Sequence, residues 1–381
     1  MLDGNLRLGR SSADAMRRAF KTFIGVDLGG GKGKTTAVCR LRVPERPSAD
    51  AEIIVEDQGP GANFYDEQLI EYLLRFADNA VLAIDAPLNL PVCVRCTLSQ
   101  CPGTAACDVP TVSWFRNRDA HKQSSEAALG SGPEGRSRAK PRYTPYTQRA
   151  TEVLLHEDHG ITPRETLGQG MGPLTARMAF LRRALADRYQ LHHNLLEVYP
   201  KATLTQLFPD AAPPLSLAPL PATPTAGVIG GPTTSPSTAP AIRSGNGSSH
   251  GNGHGSLPGR TTVRYRDSNG KEVRLADDPG ETPEEDADSE LPGRRRSQVA
   301  RLYKRSGHAL PIRTRVLEEL PGLRFGPGQW REFTLQNDHQ FDALICAYTA
   351  YLWARQGWQL PDDPDRVFAE DGWIWFPPAR G

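Results

Sequence analysis

The chain has 381 residues, enough for one large domain or two ordinary ones. Lys and Arg (45) nearly balance Asp and Glu (44), so no global field draws it to nucleic acid or to a membrane surface, and any such binding has to come from a local patch. Hydrophobic residues make up 38%, with 36 Gly and 33 Pro, which predicts that a sizeable part of the chain does not pack.

The first 21 residues, MLDGNLRLGRSSADAMRRAFK, carry arginines but no apolar signal core. No apolar run approaches the ~20 residues of a membrane span. A cytoplasmic protein with no membrane partner is expected. The stretch Thr22–Thr36, TFIGVDLGGGKGKTT, comes next. Its short apolar run (Phe23, Ile24, Val26) reads as a strand ending in Asp27, and Val38–Val43 reads as a second strand after the glycines. Asp27 is then at the mouth of the first strand, beside a turn rich in backbone N–H groups and holding Lys32 and Lys34. A carboxylate there suits a metal ion, and the N–H groups and lysines suit a phosphate. A P-loop is the sharp alternative, but only Gly33, Lys34 and Thr35 fit it. Its first glycine position is Leu28, and the β-branched alternation of TTAVCRLRV predicts a strand where a P-loop needs a helix. A plain glycine hairpin without chemistry is the remaining reading.

Glu52–Glu56 reads as a third strand, and Phe64–Phe76 has the apolar spacing of a helix. Ala80–Ile84 is a buried strand that runs into Asp85 and then Ala86-Pro87. Leu90–Pro110 is a cysteine-bearing loop, and Ser124–Pro145 is a polar, Gly/Pro/Arg-rich exposed excursion. A short helix over Thr147–His156, an amphipathic helix over Gly172–Tyr189, a strand over Asn194–Tyr199 carrying Glu197, and a short helix over Ala202–Phe208 follow. From Pro209 to Arg296 the sequence becomes low in complexity and is expected to be a disordered insertion. Within it, Val263–Leu275 reads as a small hairpin around Asn269-Gly270, and His250 and His254 read as solvated linker residues before a metal tract. Order resumes over Ser297–Leu320. Asn337–Gln356 is a strong helix with Leu344, Ile345, Tyr348 and Leu352 on one face and His339, Asp342, Cys346 and Thr349 on another. Asp371–Pro377 closes the chain as a short aromatic strand. The expected organisation is one discontinuous α/β core, 1–208 and 297–381, interrupted by 209–296.

Three acids stand out by position: Asp27, Asp85 and Asp342. Glu197 and His339 are candidates to join them as ligand or general base. Carboxylates that converge repel one another unless a divalent cation lies between them, and Mg²⁺ or Mn²⁺ with oxygen ligands suits phosphodiester hydrolysis. Each residue also has a plainer reading. Asp85 can cap the Ala86-Pro87 turn, His339 and Asp342 can be a surface pair, and Glu197 can pair with an arginine. Arg149 is either a bidentate phosphate ligand or the structural partner of Glu197 or Asp85. Cys93, Cys96, Cys101 and Cys107, spaced C-x₂-C-x₄-C-x₅-C, either close a structural Zn²⁺ site or stand as thiols or disulfides.

With these residues in view, the order of strands and helices resembles the ribonuclease H-like fold: a mixed sheet flanked by helices, with acids after strands one and four and on a late helix. In detail the chain is similar to an uncharacterised predicted-nuclease family of that fold, domain-of-unknown-function family 429. The matching segments are GVDLGG (Gly25–Gly30), AIDAPLNLP (Ala83–Pro91), TQRATE (Thr147–Glu152), EVYPKA (Glu197–Ala202), HQFDALICAYTA (His339–Ala350) and GWIWFP (Gly372–Pro377). The His339/Asp342 pair also resembles the last ligand pair of Holliday-junction resolvases, which place a Glu where this chain has Asp85. The resemblance implies a metal-dependent nuclease acting on DNA or RNA, and a homodimer if it is resolvase-like. Two rivals are an actin-like ATPase or sugar kinase that uses the glycine hairpin for ATP phosphates, and a non-catalytic module that binds nucleic acid or a partner through Arg294–Arg296 and Lys304-Arg305.

Overall fold

The computed structural model describes residues 15–30, 36–45, 52–58, 64–128, 142–209, 264–266, 272–274 and 297–378, with only the backbone for 121–128 and the two short pieces near 270. The strands of the main body are β1 (Thr22–Asp27), β2 (Ala37–Arg42), β3 (Ile53–Gln58), β4 (Ala80–Asp85) and β5 (Leu195–Val198). Two more come near its end. With β6 (Arg264–Arg266) and β7 (Glu272–Arg274) set apart in a unit of their own, these are β8 (Leu323–Phe325) and β9 (Ile374–Trp375). They form one seven-stranded mixed sheet in the order β8-β3-β2-β1-β4-β5-β9. Strand β2 runs antiparallel to both β1 and β3, while β4 is parallel to β1, β5 to β4, β9 to β5, and β8 to β3.

The helices are α1 (Asp66–Arg75), α2 (Val92–Arg95), α3 (Pro110–Ala128), α4 (Ala150–His159), α5 (Gly172–Ala184), α6 (Pro200–Leu207), α7 (Gln298–Leu302), α8 (Ala309–Glu319), α9 (Trp330–Gln336), α10 (Asp338–Gln356) and α11 (Val367–Asp371). They cover both faces of the sheet. Alternation along each strand decides which face a residue joins. Ile24, Val26, Leu82, Ile84 and Leu195 pack with Leu69 and Leu73 of α1 and Met178 and Leu181 of α5. The opposite set, including Phe23 and Gly25, meets α10: the Phe23 and Tyr351 rings cross edge-on at 5.5 Å. Helix α10 is buried on all sides over most of its length, so the apolar and polar faces expected from its sequence both lie inside the protein. Asn337 caps its start by accepting from the Gln340 N–H at 3.2 Å, and Gly357, left-handed at φ 67°, ends it.

The expected core elements are present with shifts of a few residues at their ends. A strand follows the glycine stretch, as the alternation predicts, and the described residues from Thr36 onward open no helix there. Three features differ from expectation. Helix α3 runs through the start of the supposed polar excursion. The excursion's far end also packs, with Tyr143 8% exposed and Pro145 O accepting from Cys93 N at 3.2 Å. The third difference is β8, which adds a strand beyond β3. In the separate unit 213–284, β6 and β7 pair antiparallel with Tyr265 opposite Val273, which is the hairpin the sequence predicts. The rest of the insertion, its disorder included, lies outside the described residues.

Candidate functional site

The mouth of β1 and β4 is built by register. Asp27 pairs with Asp85 across the parallel ladder, so two carboxylates end adjacent strands side by side. By alternation both share the face of Phe23 and Gly25, the face that α10 covers. Gly25 permits that cover: a Cβ there would stand 1.9 Å from the Ala343 carbonyl oxygen. The N-terminal turns of α10 therefore pass over the strand ends and bring His339 and Asp342, three residues apart, to the two acids.

The contacts follow from this placement. His339 Nδ1 is 2.6 Å from Asp27 Oδ2. Burial works against the imidazolium, but the bond to Asp27 and the charges of Asp27 and Asp338 outweigh it, and the His339 pKa rises to about 9. The imidazole is thus protonated at neutral pH and donates to the carboxylate. Asp342 is 0% exposed. Burial and the charge of Asp27 raise its pKa against the pull of Lys304, to about 6. Burial, with Asp27 and Asp342 next to it, holds Asp85 well above the usual carboxylate range. Lys304 Nζ lies 2.6 Å from Asp342 Oδ2 as an ion pair. Apart from that ammonium, neither Asp342 oxygen has a hydrogen-bond partner among the described residues. Cys346, one turn further along α10, is buried beneath the three acids, and burial followed by their charges raises its pKa.

Glu197 is the clearest departure from expectation. It is opposite Ile84 in the ladder, one position off the register of Asp85, and Ile84 belongs to the α1/α5 face. A single step of register sends its side chain to the other side of the sheet. There it accepts from the Leu88 N–H at 2.9 Å and takes both ends of the Arg149 guanidinium, at 2.7 and 2.5 Å. Arg149 is 1% exposed and also donates to Glu152 Oε1 at 2.8 Å. Glu197 is therefore neither a ligand nor a base of the acid cluster, and Arg149 cannot meet a phosphate, because its fork is spent inside the fold. Of the two readings the sequence leaves open for Arg149, the structural one matches this geometry. Lys32 and Lys34 lie outside the described residues. At the described mouth of their loop, Arg177 ties Gly29 O (2.6 Å) to Thr36 Oγ1 (2.8 Å).

The four clustered cysteines are unpaired thiols: Cys107 is buried, Cys93 partly so, and Cys96 and Cys101 are exposed. They are near one another, since after burial the sulfurs of Cys107, Cys101 and Cys96 all help raise the Cys93 pKa. Among the described residues, no group of three or more His, Cys, Asp or Glu side chains stands arranged to hold a metal ion. That applies to these thiols, so the geometry adds nothing to the zinc expectation, and it applies to the acids. For the acids the donor chemistry nevertheless fits an oxygen-seeking divalent ion: three carboxylates converge, and the buried Asp342 has only the Lys304 ammonium as a partner among the described residues.

No protein-family model, no curated protein and no solved structure matches this chain.

Two members of the site escaped the sequence reading. Asp338, half-buried at the start of α10, acts on His339 and Asp342. Its position at the first turn of a helix that carries two other candidates was the available signal. Lys304 reads in the sequence only as part of an exposed basic piece. No local pattern places it against an aspartate 38 positions away. Among the described residues no helix is long and apolar enough to cross a membrane.

Proposed function

We propose that this chain is a metal-dependent nuclease of the ribonuclease H-like class, with Asp27, Asp85 and Asp342 holding Mg²⁺ or Mn²⁺ and with DNA or RNA as substrate. The observation that carries this is Asp342, fully buried beside two strand-end carboxylates, with the Lys304 ammonium at Oδ2 and no partner for Oδ1 among the described residues. Three buried carboxylates facing one another are costly, one lysine ammonium offsets only part of that cost, and a divalent cation is the partner that removes the rest. The sheet supports the fold part of the reading. It is mixed and flanked by helices, as the resemblance implies, and aspartates end its adjacent strands β1 and β4.

When bound, such an ion supplies Lewis-acid polarisation of a phosphoryl oxygen. The protein's own residues supply the rest. Asp27 and Asp85, fixed by the ladder, present their oxygens on one face. His339 holds a proton at Nδ1 against Asp27 and keeps that carboxylate oriented. Helix α10 closes the site from above and excludes water from Asp342.

The test is calorimetric titration of Mn²⁺ into the wild type, Asp342→Asn and Asp27→Asn. Each variant is expected to bind at least about tenfold more weakly, a loss near 1.4 kcal/mol, while its circular dichroism stays that of the wild type. Wild-type protein should then cleave DNA or RNA in Mn²⁺, and the variants should be slower. Equal Mn²⁺ affinity in all three, or none in the wild type, overturns the assignment. ATP would then be the next ligand to try, as the kinase-like rival requires.

A further inference from the structure

Lys304 sits in the turn after α7, and the fold fixes it there. The Tyr303 ring packs on Phe341 of α10 with centroids 5.6 Å apart. Arg313 of α8, 5% exposed, donates to Tyr303 O at 2.8 Å and to Leu335 O at 3.0 Å. The carbonyl next to Lys304 in the chain is thereby tied to α8 and α9. From this pinned turn the Lys304 side chain, 40% exposed, reaches Asp342 Oδ2 at 2.6 Å. Its charge also acts on Asp85, Asp338 and His339. A lysine freely solvated at the surface would not be held in this way. This one is positioned as a cation among carboxylates.

Charge balance then limits what else the cluster can take. Asp27, Asp85, Asp338 and Asp342 act on one another here, while Glu197, which also acts on Asp85, is paired with Arg149 and drops out of the balance. Lys304 and Arg313 are fixed cations that act on Asp338 and Asp342. With the His339 imidazolium held against Asp27 as a third cation, four carboxylates against three cations leave one negative charge, which a single divalent ion already exceeds. A second ion would have to displace the Lys304 ammonium, which already stands 2.6 Å from Asp342 Oδ2.

We infer that Lys304 fills one cation position of the cluster, so that the site takes a single divalent ion and the Lys304 ammonium stands in place of a second. This rests on the metal-site reading above. Its test is the number of Mn²⁺ ions bound by the full chain, from calorimetry and from the electron paramagnetic resonance of bound Mn²⁺, for the wild type, Lys304→Met, Lys304→Gln and Lys304→Arg.

The wild type and Lys304→Arg are expected to bind one ion, with the spectrum of an isolated Mn²⁺. Lys304→Met and Lys304→Gln are expected to bind two, with the spectrum of a spin-coupled pair. Two ions in the wild type overturn the inference and leave the metal site standing, and this measurement needs no variant to fold. One ion in both neutral variants overturns it in the same way. No ion in the wild type overturns the metal site and this inference together.

Discussion

Gly25→Ala is expected to destabilise the protein by at least about 3 kcal/mol, the upper part of the range for an overpacked core. The added Cβ would lie 1.9 Å from the Ala343 carbonyl oxygen and 2.4 Å from the Ala347 nitrogen. Both are backbone atoms of α10, so no rotamer change relieves the clash, and the whole helix has to lift from β1. A glycine inside a strand marks such a close approach. The cost is spread widely, because α10 also lies against β2 and β4. It also falls on the site, because the lifted helix carries His339 and Asp342. Urea unfolding should show a lowered midpoint with an unchanged slope. Mn²⁺ binding should be lost at urea concentrations where the variant is still folded. A wild-type midpoint would mean that α10 does not need this approach, and that the convergence of Asp342 on Asp27 has another cause.

The strands and most helices were legible because their signals are local. The first five strands show as short apolar runs, and two of them end in aspartates that the parallel register sets side by side. That Asp27, Asp85, His339 and Asp342 come together was therefore legible from their positions. What the sequence hid is what depends on distant geometry. Glu197 looks like Asp85, a carboxylate near a strand end, yet a one-residue difference in ladder register faces it the other way. No single-strand pattern encodes that offset. Lys304 reaches Asp342 only after α7 and α8 have folded against α10. Helix α3 was missed because TVSWFRNRD puts polar residues between its buried ones, Thr111, Val112 and Phe115, and leaves a weak apolar stripe. Strand β8 has three residues, too few for a period to show.

Arg149→Met is expected to cost about 3–5 kcal/mol, as breaking a buried ion pair from one side does. Arg149 joins two parts of the chain. From the N-cap position of α4 its side chain holds Glu152 of that helix, and it holds Glu197 of β5 with both ends of its fork. Beside it, Asp371 accepts from the Ala150 N–H at 2.7 Å and from Arg95 at 3.1 Å, which ties in the segment before β9. Removing the guanidinium leaves Glu152 and Glu197 buried as carboxylates with their main cation gone. Burial already raises the pKa of Glu152 against the pull of Arg149, so without Arg149 it would have to take up a proton. The double variant Arg149→Met/Glu197→Leu should recover part of the loss, because it buries no unpaired charge at that position. Arg149→Lys should fall between the wild type and Arg149→Met, since an ammonium keeps the charge but not the fork. All of these variants that remain folded should bind Mn²⁺ as the wild type does, because Glu197 faces away from Asp27 and Asp85. A stable Arg149→Met with wild-type Mn²⁺ affinity but weakened nucleic-acid binding would reverse the assignment and return Arg149 to a phosphate.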